Sequence, residues 1–140
     1  MKLAVRSAKL ADETIVISLW RDGGLLVSYN DPSSDFRFAL GKENSDVLVG
    51  EDESGSIVAA VMVGHDGHRG WIYYLAVKPK LQRNGLGRVI VTAAEDWLSE
   101  RGVAKLNLMI RETNTKVIAF YETLRFVNEP RVVMGKRLKR

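Results

Sequence analysis

Between positions 71 and 88 the chain changes character twice, and that passage limits the folds open to it more than any other. Trp71-Ile72-Tyr73-Tyr74-Leu75-Ala76-Val77 is an apolar run of seven residues, far short of the roughly 20 that a spanning helix needs. Apolar on both faces, it is expected to lie centrally in a sheet, and Pro79 stops it. From Gly87 the period changes: Val89, Ile90, Ala93, Ala94, Trp97 and Leu98 recur three and four apart, marking an amphipathic helix that Gly102 ends. A buried strand, a glycine-bearing loop and a helix in succession point to a fold with layers of both kinds.

The flanking sequence fits that frame. Leu3 and Val5 alternate with polar neighbours in a first strand over residues 2–7, and residues 11–21 put Ile15, Leu19 and Trp20 on one helical stripe that Gly23-Gly24 ends. Asp31-Pro32-Ser33-Ser34-Asp35 reads as a second helix start, with a side-chain cap, proline in the first turn and an acid near the positive end. Val47, Leu48 and Val49 open a strand that turns at Glu53-Ser54-Gly55 and returns over residues 57–63, and residues 64–70 turn the chain again. Residues 105–110 alternate as a strand, and Asn114 heads a helix with Val117, Ile118, Tyr121 and Leu124 on one face. Short terminal strands near Phe126 and at Val132–Val133 complete the order β-α-α-β-β-β-α-β-α-β-β, an α+β fold on a mixed, partly parallel sheet.

Length and composition narrow the class. At 140 residues, without repeats or a Pro/Gly/Ser-rich linker, the chain is expected to be one domain, 1–140. Apolar residues make up 46% and charged residues 27%, which excludes disordered and low-complexity classes. The chain has no cysteine, which removes disulfide scaffolds, thiolate nucleophiles and Cys-rich zinc sites. Its early charges, Lys2 and Arg6, leave no room for a secretory apolar stretch, so a soluble, cytoplasmic protein is expected. Net charge is +4, and Arg131, Lys136, Arg137, Lys139 and Arg140 form a basic tail. No nucleic-acid module accompanies it, so neither nucleic acid nor membrane is expected as a partner.

Chemistry concentrates in Gln82-Arg83-Asn84-Gly85-Leu86-Gly87-Arg88. Two glycines one residue apart let a ligand approach the backbone, and the first N–H groups of the following helix have no internal partner and sit at its positive end. That geometry is a phosphate cradle. A dinucleotide fingerprint would need glycine where Ile90 stands, and a nucleoside-triphosphate loop would need four residues between its glycines, then Lys and Ser/Thr. Neither pattern is met.

The segment does resemble the Q/R-x-x-G-x-G/A signature of the GNAT N-acetyltransferase superfamily. Leu75-Ala76-Val77-Lys78-Pro79 upstream, and Asn114 with Phe120-Tyr121-Glu122-Thr123-Leu124-Arg125-Phe126 downstream, resemble other family motifs, although Arg125 stands where the family has glycine and Val117 where it often has alanine. Within the superfamily, His65-Asp66-Gly67-His68-Arg69-Gly70-Trp71 is similar to the small bacterial YpeA-type acetyltransferases. The resemblance implies a GNAT-like fold with a central splayed strand, and an acetyl group moved from acetyl-CoA to a primary amine, of a small molecule or a protein, by direct attack and without a metal. It implies that backbone N–H groups of Gln82, Arg83, Asn84, Gly85, Leu86, Gly87 and Arg88 hold the pyrophosphate of coenzyme A. Leu75, Ala76 and Val77 would pair with its pantetheine arm, Asn114 would steady that arm, and Tyr121 would protonate the departing thiolate. A homodimer through the terminal strands would follow family habit, and a non-catalytic acyl-CoA-binding module is the alternative function.

Many relatives carry a glutamate on the strand entering the cradle, whereas residues 71–74 here hold no carboxylate. Ordered water, Tyr73, Tyr74, His65, His68 and Glu112 are the candidates for removing the amine proton. Water is favoured, which suits an acceptor already partly neutral. His65 and His68 around Asp66 read as hairpin-turn chemistry or an acceptor-site wall rather than a metal site, which would need further ligands. Asp22, Asp31, Asp35 and Glu112 are acids that could attract a cationic amine.

Overall fold

A computed structural model describes residues 2–138, so Lys139 and Arg140 of the basic tail lie outside the described residues. These residues form two compact units that divide between Met109 and Ile110. The first contains five strands, β1 (Ala4–Ser7), β2 (Ser45–Glu51), β3 (Ile57–His65), β4 (Gly70–Val77) and β5 (Leu106–Asn107), with helices α1 (Glu13–Asp22), α2 (Pro32–Ala39) and α3 (Leu86–Ser99). The second contains α4 (Thr115–Thr123). Element order through α4 follows the sequence reading.

The strands lie in chain order, β1-β2-β3-β4-β5, antiparallel except for the parallel β4–β5 pair. The sheet is mixed as expected; β4 is interior, while β3 holds the middle. One face carries α1 and α2: Val16, Leu19, Trp20, Phe36 and Ala39 pack with Val47, Val49, Ala60 and Ala76. Val16, rather than Ile15, completes the buried stripe of α1, and Ile15 is half exposed. The other face receives α3, whose Leu86, Ile90, Val91, Ala94, Trp97 and Leu98 are buried. Gly70 is required there, since a Cβ on it would fall 2.5 Å from Leu98 Cδ1.

Local signals set the helix ends. Asp31 Oδ1 accepts from the Ser33 and Ser34 N–H groups and Pro32 takes the first turn of α2, as the sequence indicates. Gly23 caps α1, and Gly24 follows in the left-handed region at φ 71°.

The carboxyl-terminal strands do not form. Residues 124–138 contain neither helix nor strand, and Val132, Val133 and Met134 are 88%, 69% and 89% exposed. Alternating residues make a strand only where a ladder partner accepts their N–H groups, and Pro130 has none to offer. The fifth strand is likewise shorter than residues 105–110, at two residues.

Candidate active site

Within the first unit, β4 is held on one side and open on the other. Its ladder with β3 slips between Ala60 and Met62: Ala60 faces Ala76, Met62 faces Tyr73, and Tyr74 and Leu75 together oppose Val61. Tyr74 takes φ 56° at this bulge, a left-handed conformation that costs a non-glycine residue about 1–2 kcal/mol. The extra residue reverses the alternation of the strand. Ile72 pairs with Val63 on the α3 face, whereas Tyr74 and Ala76 pack against the α1–α2 core.

A ring stack and a hydrogen bond hold the strained residue. The Tyr74 ring stacks on Trp20 with centroids 4.1 Å apart and planes at 14°, Trp20 in turn packs at a tilt on Phe36, and the Tyr74 hydroxyl donates to Asp35 Oδ2 at 2.8 Å. Burial, then the Asp35 hydrogen bond and charge, push the Tyr74 phenol up to about 12.

Toward β5 the pairing covers only Gly70 with Leu106 and Trp71 with Asn107. From Ile72 to Val77, β4 has no strand paired on that side among the described residues. Leu75, Ala76 and Val77 lie in this stretch, directly after the bulge.

The cradle begins where β4 ends. The Lys78 N–H donates to Val58 O at 2.8 Å, Pro79–Leu81 forms a 3-10 turn, and Asn84 Nδ2 donates to Leu81 O at 3.1 Å. Arg83 (φ 69°) and Gly85 (φ 78°) both turn through the left-handed region, and Gly85 caps the start of α3. A Cβ at Gly85 would meet no atom within 4 Å, so the space above it is open. The Gln82 N–H is spent on Pro79 O at 3.4 Å, and its side chain reaches Val77 O, so the free run starts one residue later than expected. Among the described residues, the N–H groups of Arg83, Asn84, Gly85, Leu86, Gly87 and Arg88 donate to no backbone carbonyl. Leu86 is 2% exposed and fixes the helix start in the core, while Arg83 and Arg88 are exposed and form no ion pair among the described residues. Bare N–H groups, a helix dipole and two guanidinium groups without ion-pair partners among the described residues make this turn electropositive.

Asn114 and Tyr121 lie in the second unit. Asn114 precedes the first residue of α4 and makes no side-chain cap hydrogen bond. Tyr121 is 7% exposed, edge-on to Phe120 at 5.0 Å and to Phe126 at 5.3 Å, and burial pushes its phenol up to about 12. Arg125 adopts φ 73° after the helix, and the Phe126 N–H reaches back to Tyr121 O at 3.1 Å. The helix-ending turn is therefore kept although arginine replaces glycine.

Residues 65–70 form the hairpin turn. Asp66 Oδ1 accepts from the His68 and Arg69 N–H groups at 2.9 and 2.8 Å, which holds its carboxyl below the usual range, and His65 Nδ1 accepts from the Gly67 N–H at 3.1 Å. No cluster of three or more metal-ligating side chains occurs among the described residues, and no helix among them is long and apolar enough to cross a membrane. The sequence reading weighed Tyr74 as a base and Asp35 as a helix-start acid that could attract a cationic amine, but missed their union and the Trp20 stack. In a strand apolar on both faces, no break in alternation marks the bulge.

β4 is bulged at Tyr74 on its β3 side and has no paired strand on its β5 side beyond Trp71, and it runs into a turn of bare N–H groups that opens a helix, an arrangement of the α/β class. The family model for the Acetyltransferase (GNAT) family matches residues 14–126. An acetyltransferase of Yersinia enterocolitica is 40% identical over 136 residues, covering 97% of this chain and 96% of that protein. One of Pectobacterium atrosepticum is 38% identical over the same shares of both chains. Among solved structures, AAC(6')-Iy in complex with a bisubstrate analogue, CoA-S-monomethyl-acetylneamine, aligns with TM-score 0.83 at 13% identity over 98% of this chain and 99% of that one. Glucosamine-6-phosphate N-acetyltransferase from Arabidopsis thaliana aligns with TM-score 0.72 at 23% identity over 99% and 100%. The chain belongs to the GNAT acetyltransferase family.

Proposed function

We propose that this protein transfers an acetyl group from acetyl-CoA to a primary amine, in the cytoplasm, and that its two units serve one acetyltransferase domain. The observation that carries the reading is the run of unpartnered N–H groups from Arg83 to Arg88, set directly after the unpaired end of β4. The first suits a pyrophosphate and the second an extended amide-bearing arm, and coenzyme A contains both in that order. Acetyl-CoA supplies the activated thioester. Arg83 through Arg88 would hold the phosphates, with the Arg83 and Arg88 side chains adding charge. Leu75, Ala76 and Val77 would pair with the pantetheine and direct backbone N–H toward the thioester oxygen. Asn114 would steady the arm. Tyr121 would donate its proton to the leaving sulfur as the amine nitrogen bonds to the carbonyl carbon and the carbon–sulfur bond breaks.

The proton balance favours water as the base. Phenols pushed above their ordinary 10 stay protonated at neutral pH, and burial raises Tyr73 while Tyr74 reaches about 12. His65 Nδ1 is engaged by Gly67. On this reading the amine enters neutral, or loses its proton to solvent, and His68 and Glu112 stay as the alternative proton acceptors.

A thermal-shift titration tests the reading. Acetyl-CoA at a hundred times its dissociation constant adds roughly 2.7 kcal/mol of stability, which raises Tm by about 5–15 °C; CoA does the same and NAD does not. No shift with acetyl-CoA or CoA would end the acetyltransferase reading of this site. Tyr121→Phe is expected to lower kcat about 10²-fold while the acetyl-CoA shift persists. The donor works only when protonated, so its activity is lost as pH rises through about 12 and contributes no alkaline limb at physiological pH.

A further inference from the structure

The acids around the α1–α2 face of the sheet have separate fates. Glu13 pairs with Arg37 and accepts from the Ser33 hydroxyl, Asp12 pairs with Arg6, and Asp31 caps α2. Asp22 is exposed at the end of α1. Asp35 differs from all of these. It is half-buried, it has no ion-pair partner among the described residues, and its one side-chain bond is the Tyr74 hydroxyl on Oδ2 at 2.8 Å. Oδ1 is left for another donor.

Asp35 lies in the first turn of α2, whose positive end favours its charge, but no cation pairs with it among the described residues, so a cation arriving at Oδ1 is stabilised. The Trp20 stack and the bulge fix where the carboxylate is presented. Tyr74 immediately precedes Leu75, so Asp35 stands one tyrosine side chain from the β4 backbone within the stretch that has no β5 partner. β4 itself, Gly-Trp-Ile-Tyr-Tyr-Leu-Ala-Val, carries no acid, and α2 brings one to it.

We propose that Asp35, held at the β4 bulge by Tyr74, anchors a cationic group of the acceptor other than the nitrogen that becomes acetylated, so that the preferred acceptors are amines bearing a second positive charge. The proposal rests on the reading above, in which Leu75 begins the backbone stretch that directs the thioester. A nearby carboxylate favours the protonated form of an amine, and a protonated nitrogen has no lone pair with which to attack. The nitrogen seated on Asp35 is therefore the anchor, and the attacking nitrogen lies about a tyrosine's reach away. Two amines joined by a chain of lysine length fit that separation.

Paired acceptors that differ only in the second charge test this: lysinamide against norleucinamide, and 1,5-diaminopentane against pentylamine. The wild-type enzyme is expected to favour the dicationic member by about tenfold or more in kcat/KM, the value of one partly exposed charge-assisted contact. Asp35→Asn keeps an oxygen for the Tyr74 hydroxyl, so the bulge and the acetyl-CoA thermal shift persist while the preference falls toward one. In calorimetry, lysinamide binds CoA-saturated Asp35→Asn about tenfold more weakly than wild type. Tyr74→Phe, which frees Asp35 from its tether, lowers the same preference by a smaller factor. A wild-type enzyme that binds acetyl-CoA and acetylates both members of each pair equally overturns the anchor alone. Retention of the full preference in Asp35→Asn does the same. Failure of the wild type to bind acetyl-CoA removes the anchor together with the reading beneath it.

Discussion

Tyr74 in β4 and Arg83 in the cradle share a left-handed backbone, at φ 56° and 69°, and differ in everything around it. Tyr74 is stacked on a fully buried tryptophan and hydrogen-bonded to Asp35, so its strain is offset by packing. Arg83 is exposed, has no side-chain hydrogen bond among the described residues, and is followed two positions later by Gly85 in the same conformation. One bend fixes side chains, and the other bares backbone. At the bulge, the left-handed residue re-aims a strand and presents an acid. In the cradle, two such residues turn successive N–H groups outward, and bulk above them would defeat the arrangement.

The largest effect should come from filling the open bend. Gly85→Val places a branched side chain at φ 78°, over the N–H groups proposed to bind pyrophosphate. Acetyl-CoA affinity is expected to fall more than about 100-fold, seen as loss of the thermal shift at ligand concentrations that saturate the wild type. Since a Cβ there meets no protein atom within 4 Å, the folded state survives with a penalty of about 1–2 kcal/mol from the backbone alone. Wild-type affinity in Gly85→Val would mean that the bared N–H groups are not the anion site, and the contrast between the two bends would lose its functional meaning.

The two bends also differ in how far the sequence disclosed them. The cradle is legible because glycine marks the left-handed position and the period changes from strand to helix just beyond it. The bulge leaves no such mark: with Ile72, Tyr73, Tyr74, Leu75 and Ala76 all apolar or aromatic, a slip of one residue changes no pattern. The Tyr74–Asp35 bond joins residues 39 positions apart, a tertiary fact with no local sign. Helix starts are readable where a side chain does the capping, as at Asp31; on α1, Leu19 and Trp20 are buried as expected and Val16 takes the place of Ile15, because the two are equally apolar. Val132 and Val133 have the branched side chains that suit a strand, but a ladder depends on a partner that the local sequence does not encode.

Replacing each left-handed residue by glycine separates the bends by sign. Both changes relieve about 1–2 kcal/mol of backbone strain and return part of it through the greater freedom of glycine in the unfolded chain. Tyr74→Gly also deletes a ring stacked at 4.1 Å and a hydrogen bond to a carboxylate, for a net loss of about 3 kcal/mol in urea denaturation.

Arg83→Gly deletes no side-chain contact, so the relief should dominate and stability should rise by about 0.5 kcal/mol. Arg125→Gly, at φ 73° after α4, calibrates the small effect: it restores glycine at a helix-ending turn whose hydrogen bonds are already in place, and a rise of the same size is expected. The measurement must be made without cofactor, because Arg83 is also assigned to the phosphates and its loss would lower stability in the presence of acetyl-CoA. Destabilisation by Arg83→Gly in the free protein, with Arg125→Gly stabilising, would show that the cradle arginine holds the turn through its side chain. The cradle would then be a packed bend like that of Tyr74, not a bare one.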